Sequence, residues 1–375
     1  MILAGDFVPL KTIPDVGDFG GELVLANLEG PVCSSCLPKA PKSGPNLCSD
    51  PFDIPGRWAF ALANNHMMDY GHEGLSETLN FLAEHKYLYA GAGDGIDTAR
   101  RPMTVIENGK RIDIFSCCEK QFGIAGYTRA GVAEKGLWLF DAISSAKKNG
   151  ADYIIVSSHV ASEMSPFVSP SIVAFYHSLI DAGADVIHGH HSHVPQGFER
   201  YHDKLITYGL GNFVVDSGWG WARHPDFLWS LIAKLDFSGE SITWKIMPYG
   251  RVPDYASCYI DAVNRGFSDS RLLEGIWQTV CMRLYDYTYK DGIYGARLKV
   301  RDVLSRVKRT ILRQPLPSRR AVVEQKRRAK WQLFGCESHR DAIEVALGIM
   351  TGAIEDLRTD ESMRLVDKFF MIGRK

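Results

Sequence analysis

Gly189-His190-His191-Ser192-His193 follows the apolar run Asp185-Val186-Ile187, so three imidazoles stand where a strand ends. Imidazoles gathered at a strand's edge point to a metal. Other strand-like runs end in ligand-type residues too. Ile2-Leu3-Ala4 leads to Gly5-Asp6, Leu23 to Ala26 leads to Asn27-Leu28-Glu29, Ala59 to Ala63 leads to Asn64-Asn65-His66, and Tyr153 to Ser158 leads to His159. In an open α/β sheet, ligands bind at the carboxyl ends of the strands. Five strand ends are therefore expected to converge on one site.

The expected ligand set is Asp6, Glu29, Asn65, His159, His191 and His193, a mixed oxygen and imidazole shell. Imidazole suits zinc or iron, whereas carboxylates and amides favour manganese or magnesium, so the set does not select one metal. A carboxylate can bridge two ions. Paired ions roughly 3.5–4 Å apart activate water and stabilise both oxygens of a displacement.

These residues resemble the CapA-like family, the bacterial capsule and poly-γ-glutamate synthesis proteins of the metallophosphatase superfamily. The resemblance is carried by Gly5-Asp6, Asn27-Leu28-Glu29-Gly30-Pro31, Ala63-Asn64-Asn65-His66 with Asp69-Tyr70-Gly71, and Ser158-His159 with Glu163. It continues through Gly183-Ala184-Asp185, His191-Ser192-His193-Val194-Pro195-Gln196 and Gly209-Leu210-Gly211-Asn212-Phe213, in family order across roughly residues 1–250. It implies a two-sheet sandwich flanked by helices. It further implies Asp6 and His193 on one ion, Asn65, His159 and His191 on the other, Glu29 between them, and His66 free as an acid or base. The superfamily usually opens with Asp-x-His, whereas this chain reads Asp6-Phe7-Val8. One imidazole is missing from the first metal position. Ser192 replaces a common proline but keeps the imidazole spacing.

Around this set, Glu163 is a second candidate to carry a proton, and Asn27, Asp69, His190 and Asn212 are candidates to support ligands or substrate. Alternation along an extended segment would point His191 and His193 one way and His190 the other. Trp219 and Trp221 are placed to stack on a substrate, or to pack in the core. His72, His85, His177, His202, His224 and His339 are set aside, because a lone histidine is more often a surface or satisfied core residue.

Composition narrows the class. In 375 residues, 45% apolar and 23% charged content is that of an ordinary globular protein, and a formal net charge of -1 excludes a globally basic nucleic-acid binder. No apolar run approaches the roughly 20 residues needed to span a bilayer. Because the first strand begins at Ile2 with nothing resembling a signal peptide before it, a cytoplasmic location is expected. The eight cysteines, Cys33, Cys36 and Cys48 among them, are expected to be reduced thiols, with Cys117-Cys118 in a strand.

Leu75, Leu79 and Leu82 mark a helix from Tyr70 to Lys86, and further helices fit Lys135 to Asn149 and Pro170 to Ala182. Hairpins are expected about Asn108-Gly109 and Ser238-Gly239, and a long loop from Pro38 to Pro55. The sequence divides into a core domain, 1–253, and a mainly helical extension, 254–375. Between Arg301 and Lys330 there are 11 Lys or Arg against two acids. That run is either a basic surface for an acidic polymer or a solvated helix face above Val303, Leu304, Val307, Ile311 and Leu312.

Three functions follow. The first is hydrolysis or transfer on a peptidic or polyanionic substrate, dependent on one or two divalent ions (manganese, magnesium, zinc or iron). The second is abstraction of an α-proton by a peptide epimerase. The third is a non-catalytic scaffold of a polymer synthase. Sequence does not fix the oligomeric state.

Overall fold

Every residue of the first strand, Ile2–Val8, is buried, which demands cover on both faces of its sheet. The computed structural model describes residues 1–11, 16–215, 224–290, 318–370 and 372. In chain order the first elements are β1 (Ile2–Val8), β2 (Leu23–Leu28), β3 (Arg57–Ala61), α1 (Gly71–Glu84), β4 (Leu88–Ala90), β5 (Ala92–Gly93) and α2 (Ile96–Ala99). Then come β6 (Met103–Glu107), β7 (Lys110–Cys118), β8 (Gly131–Val132), α3 (Trp138–Lys148), β9 (Tyr153–His159), α4 (Pro170–Asp181) and β10 (Val186–His190). The remaining strands are β11 (Pro195–Tyr201), β12 (Lys204–Leu210), β13 (Asn212–Val215), β14 (Trp229–Asp236) and β15 (Thr243–Gly250). The helices that follow are α5 (Ala256–Asn264), α6 (Ser270–Leu284), α7 (Arg319–Gly335), α8 (Glu337–Thr351) and α9 (Asp360–Phe369).

One sheet has the order β15-β14-β1-β2-β3-β4, with β13 beside β1, and the second has the order β11-β12-β10-β9-β7-β6. The centres of both are parallel. Parallel neighbours need long crossovers, and α1, α3 and α4 lie in them. Alternation then sorts the side chains by face. Leu3, Leu25, Ala59, Ile114, Ile155 and Val186 meet between the sheets. Ile2, Ala4, Val24 and Phe60 face outward onto Leu75 and Leu82 of α1. Ile154, Val156 and Ile187 face outward onto Leu139 and Ile143 of α3 and Tyr176 of α4. Each large apolar side chain fully buried this way contributes about 1.5–3 kcal/mol.

This is the helix-flanked two-sheet architecture expected of the chain. The two hairpins form about the anticipated turns, and Asn108 and Gly109 take φ values of 51° and 75°, as a type I′ turn requires. Helix α4 starts at the Ser169 cap with Pro170 in its first turn, and Gly183 follows it at φ 113°. The helices after residue 254 do not stand apart. Tyr259, Trp277, Val280, Ala342 and Phe369 join the same apolar cluster that lies between the sheets. Most of the basic run, residues 301–317, lies outside the described residues, as do the apolar positions expected beneath it.

Two glycines allow close backbone approach at the loaded edges, Gly5 of β1 against the link between β12 and β13, and Gly189 of β10 against its neighbour β12. A Cβ at Gly5 would lie 1.8 Å from Gly211 O, and one at Gly189 would lie 2.0 Å from Tyr208 O. No side chain fits in either place. Across the gap, His188 donates its Nε2–H to Ala4 O at 2.8 Å, joining β10 to β1.

Candidate metal centre

The six expected ligands come together at this edge, each by a local device. Asp6 lies within β1 rather than beyond it, where pairing with β13 shifts register between Asp6 and Phe7, an irregularity of the kind that re-aims a side chain. Glu29 follows β2, and Asn65 and His66 lie in the turn after β3. His159 closes β9 and pairs in register with His190, the last residue of β10. His191 and His193 then turn with φ of 85° and 58°. The extended alternation anticipated for His190 to His193 is therefore wrong, because the strand stops at His190 and left-handed backbone replaces it. His190 consequently reaches the site, with Nδ1 3.1 Å from Asp6 Oδ1.

Two groups of potential ligand atoms result, Asp6, Glu29 and His193 in one and Glu29, His159 and His191 in the other, each within a 4.8 Å span. Glu29 belongs to both. It is completely buried, and neither of its carboxylate oxygens has a hydrogen-bond partner; Asp6 Oδ2, His159 Nδ1 and His191 Nδ1 are likewise without one. An unpaired buried carboxylate is costly unless something charged compensates it. His193 Nε2 lies 3.4 Å from Glu29 Oε1 and His193 Nδ1 lies 3.4 Å from Asp6 Oδ2. Asn65 Oδ1 lies 3.1 Å from His159 Nε2, and the rings of His159 and His191 are 4.3 Å apart. Ligands each about 2.0–2.2 Å from one ion are separated by such distances. The donor set fits divalent ions.

Burial and the neighbouring groups set the charge on each of these residues. Burial pushes the Glu29 carboxyl up to about 8 against the pull of His193. For Asp6, burial is outweighed by the adjacent imidazoles of His190 and His193, which hold its carboxyl well below the usual range. Burial, then the neighbouring His191, keeps the His159 imidazole well below its ordinary value, so it is neutral as a ligand must be. On His193, burial is overcome by Glu29 and Asp6, which raise it to about 10.

The supporting residues fall into place around these groups. Asn27 donates to Asp6 Oδ1 at 2.9 Å. Asn212 is 3.1 Å from His193 Nδ1 through Oδ1 and donates through Nδ2 to His193 O and Phe227 O. Asp69 Oδ2 lies 2.7 Å from His66 Nδ1, leaving His66 Nε2 4.0 Å from Glu29 Oε1. Glu163 opens onto a cavity of about 90 Å³ that is also walled by Lys42, His66, Phe122, Trp331 and Gln332. The surrounding His191, His193, His339 and His66 hold its carboxyl below the usual range. Trp219 and Trp221 lie outside the described residues.

Three residues escape a sequence reading. Lys42, from the long loop after β2, is buried in an ion pair with Asp69 and 3.0 Å from His66 Nδ1. Glu119, directly after β7, accepts from His191 Nε2 at 3.1 Å. Burial would lower the His191 imidazole, yet the Glu119 bond and charge raise it. His339, set aside as a lone histidine, lies close enough to bear on Glu163. Lys and Glu in loops carry no spacing signal, and each finds its partner only after the chain has folded. The cysteines are free thiols, with Cys117 and Cys118 buried in β7, and among the described residues no potential ligand group contains one.

Residues 19–217 match the profile described as bacterial capsule synthesis protein PGA_cap. A probable polyglutamine synthesis accessory protein of Mycobacterium tuberculosis is 35% identical over 206 residues, covering 50% of this chain and 54% of that protein. The capsule biosynthesis protein CapA of Bacillus anthracis is 36% identical over 164 residues, 42% of this chain and 40% of its own. The chain thus spans about half the length of the curated relatives it matches. A solved structure of a hypothetical protein from Thermus thermophilus covers 66% of this chain and 97% of its own, at 15% identity and a TM-score of 0.39. With its profile match spanning more than half of the residues, the chain belongs to the bacterial capsule synthesis protein family PGA_cap.

Proposed function

We propose that this chain is a divalent-metal-dependent enzyme acting by hydrolysis or transfer on a peptidic or polyanionic substrate, in capsule or poly-γ-glutamate type biosynthesis. The observation that carries the reading is Glu29, buried with neither carboxylate oxygen hydrogen-bonded and shared by two groups of ligand atoms. Asp6, Glu29 and His193 would hold one ion, and Glu29, Asn65, His159 and His191 the other. Bound there, such ions supply Lewis acidity and an activated water at the scissile group.

The chain's own residues supply the proton handling. With Asp69 accepting the Nδ1–H of His66, the ring's Nε2 carries a lone pair on the Glu29 side. Burial and the neighbouring ammonium of Lys42 hold this imidazole below its ordinary value, so it is neutral and suited to accept a proton before returning it to a leaving group. Glu163 faces the same cavity as His66. Lys42 places positive charge where an anionic substrate would enter.

The neutral state of His66, together with Val8 in place of a ligand, favours one second reading, an epimerase that abstracts an α-proton beside a polarised carbonyl. A single assay separates the two. The chain is offered an aryl phosphate, poly-γ-glutamate and a peptide in deuterated water, and phosphate release, chain length and α-deuterium uptake are followed. Shortening or transfer of the polymer is the expected result. Deuterium uptake without cleavage would replace it with the epimerase, and no turnover of any substrate by the metal-loaded chain would leave the scaffold.

A further inference from the structure

The profile match ends at residue 217, yet helix α8, more than a hundred residues later, reaches the ligands. Glu119 is the point of contact. Its backbone N–H donates to His159 O at 3.2 Å, and its Oε1 accepts from His191 Nε2 at 3.1 Å, so one buried residue holds the main chain of His159 and the imidazole of His191. Behind it stands the start of α8. Ser338 donates its backbone N–H to Glu119 Oε2 at 2.9 Å and its hydroxyl to Oε1 at 3.0 Å, and the Cys336 thiol lies 3.5 Å from the same oxygen. A carboxylate at the helix N-terminus is further stabilised by exposed N–H groups and the helix dipole. Glu337 extends the contact by accepting from Lys120 N and pairing with Lys135, both at 3.2 Å.

We infer that the C-terminal helices complete the metal centre, with Glu119 as a positioning residue for His191 and with Ser338 and Cys336 as the clamp that holds Glu119 in place. A carboxylate on the far nitrogen of a ligating imidazole fixes its tautomer and raises its basicity. Here that carboxylate is itself held by the extension, so the extension is part of the site rather than a separate docking module. The inference rests on the metal-centre reading above.

The test is calorimetric titration of manganese into the metal-free full chain, with the absorption spectrum of the cobalt-loaded protein as a second readout. Glu119→Gln is expected to weaken one class of sites about 10–100-fold and to alter the cobalt spectrum. Ser338→Ala should weaken it less, and Ser338→Thr, which keeps the hydroxyl, should restore it. Asp341→Ala removes a different contact of α8, the 3.0 Å hydrogen bond from Ser169, and should lower the melting temperature while leaving metal affinity unchanged. Wild-type affinity and spectrum in both Glu119→Gln and Ser338→Ala would overturn the inference. So would an equal loss of affinity in Asp341→Ala, which would reduce the role of α8 to general stability. A wild-type chain that takes up no metal would instead defeat the metal reading, and the inference with it.

Discussion

The two ligand groups share Glu29 but differ in what stands behind them. In the group of Asp6, Glu29 and His193, one oxygen of Asp6 is already occupied by Asn27 and His190, and Val8, two residues along the strand, is a buried apolar side chain. In the group of Glu29, His159 and His191, two imidazoles come from one sheet edge, Asn65 stands 3.1 Å from His159, and Glu119 braces His191. The first group is short of donors, and the second is supplied and supported. The number of donors, and the bracing of those donors, separate the two positions within one shared cage. The second should bind its ion more tightly.

The largest effect should come from the residue common to both. Glu29→Ala is expected to lose both ions and all measurable turnover, checked by metal analysis beside activity. Retention of one tightly bound ion would show that the groups do not depend on a shared ligand. His66→Ala should keep its full metal content while losing about 10²–10⁴-fold in turnover, the usual contribution of a general acid or base; loss of metal would make His66 a ligand.

Gly189→Ala should destabilise the chain by about 3 kcal/mol, the upper end of ordinary overpacking costs, because its Cβ would meet a backbone carbonyl. Thermal melting checks this. An unchanged melting temperature would mean that β10 and β12 are not held so closely at this point. The smallest expected effects separate the groups themselves. Asp6→Asn should weaken the looser manganese site and His159→Gln the tighter one, each by about 10-fold or more, resolved by calorimetric titration. Equal effects on both sites would erase the distinction.

Much of this arrangement is legible before folding. Buried parallel strands announce themselves as apolar runs, and each run ends in Asp6, Glu29, Asn65, His159 or the histidines at 191 and 193, so both the two-sheet core and the convergence follow from local pattern. The positions of His190, Lys42 and Glu119 do not. The approach of His190 to Asp6 depends on the strand stopping there and on the positive φ at His191 and His193, which a period-two pattern misses. Lys42 and Glu119 find His66 and His191 across 24 and 72 residues of sequence. The extension is the least legible part. Its helices are visible as helices, but their packing into the same apolar cluster as β14 and their contact with Glu119 arise only from tertiary structure.

In the proposed site one carboxylate, Glu29, joins two metal positions. Electron paramagnetic resonance of the chain loaded with two equivalents of manganese tests it most directly, since ions roughly 3.5–4 Å apart on a shared carboxylate are magnetically coupled. A coupled-pair spectrum is expected in the wild type, and its disappearance in Glu29→Gln. The six-line spectrum of isolated manganese in the fully loaded wild type would contradict it.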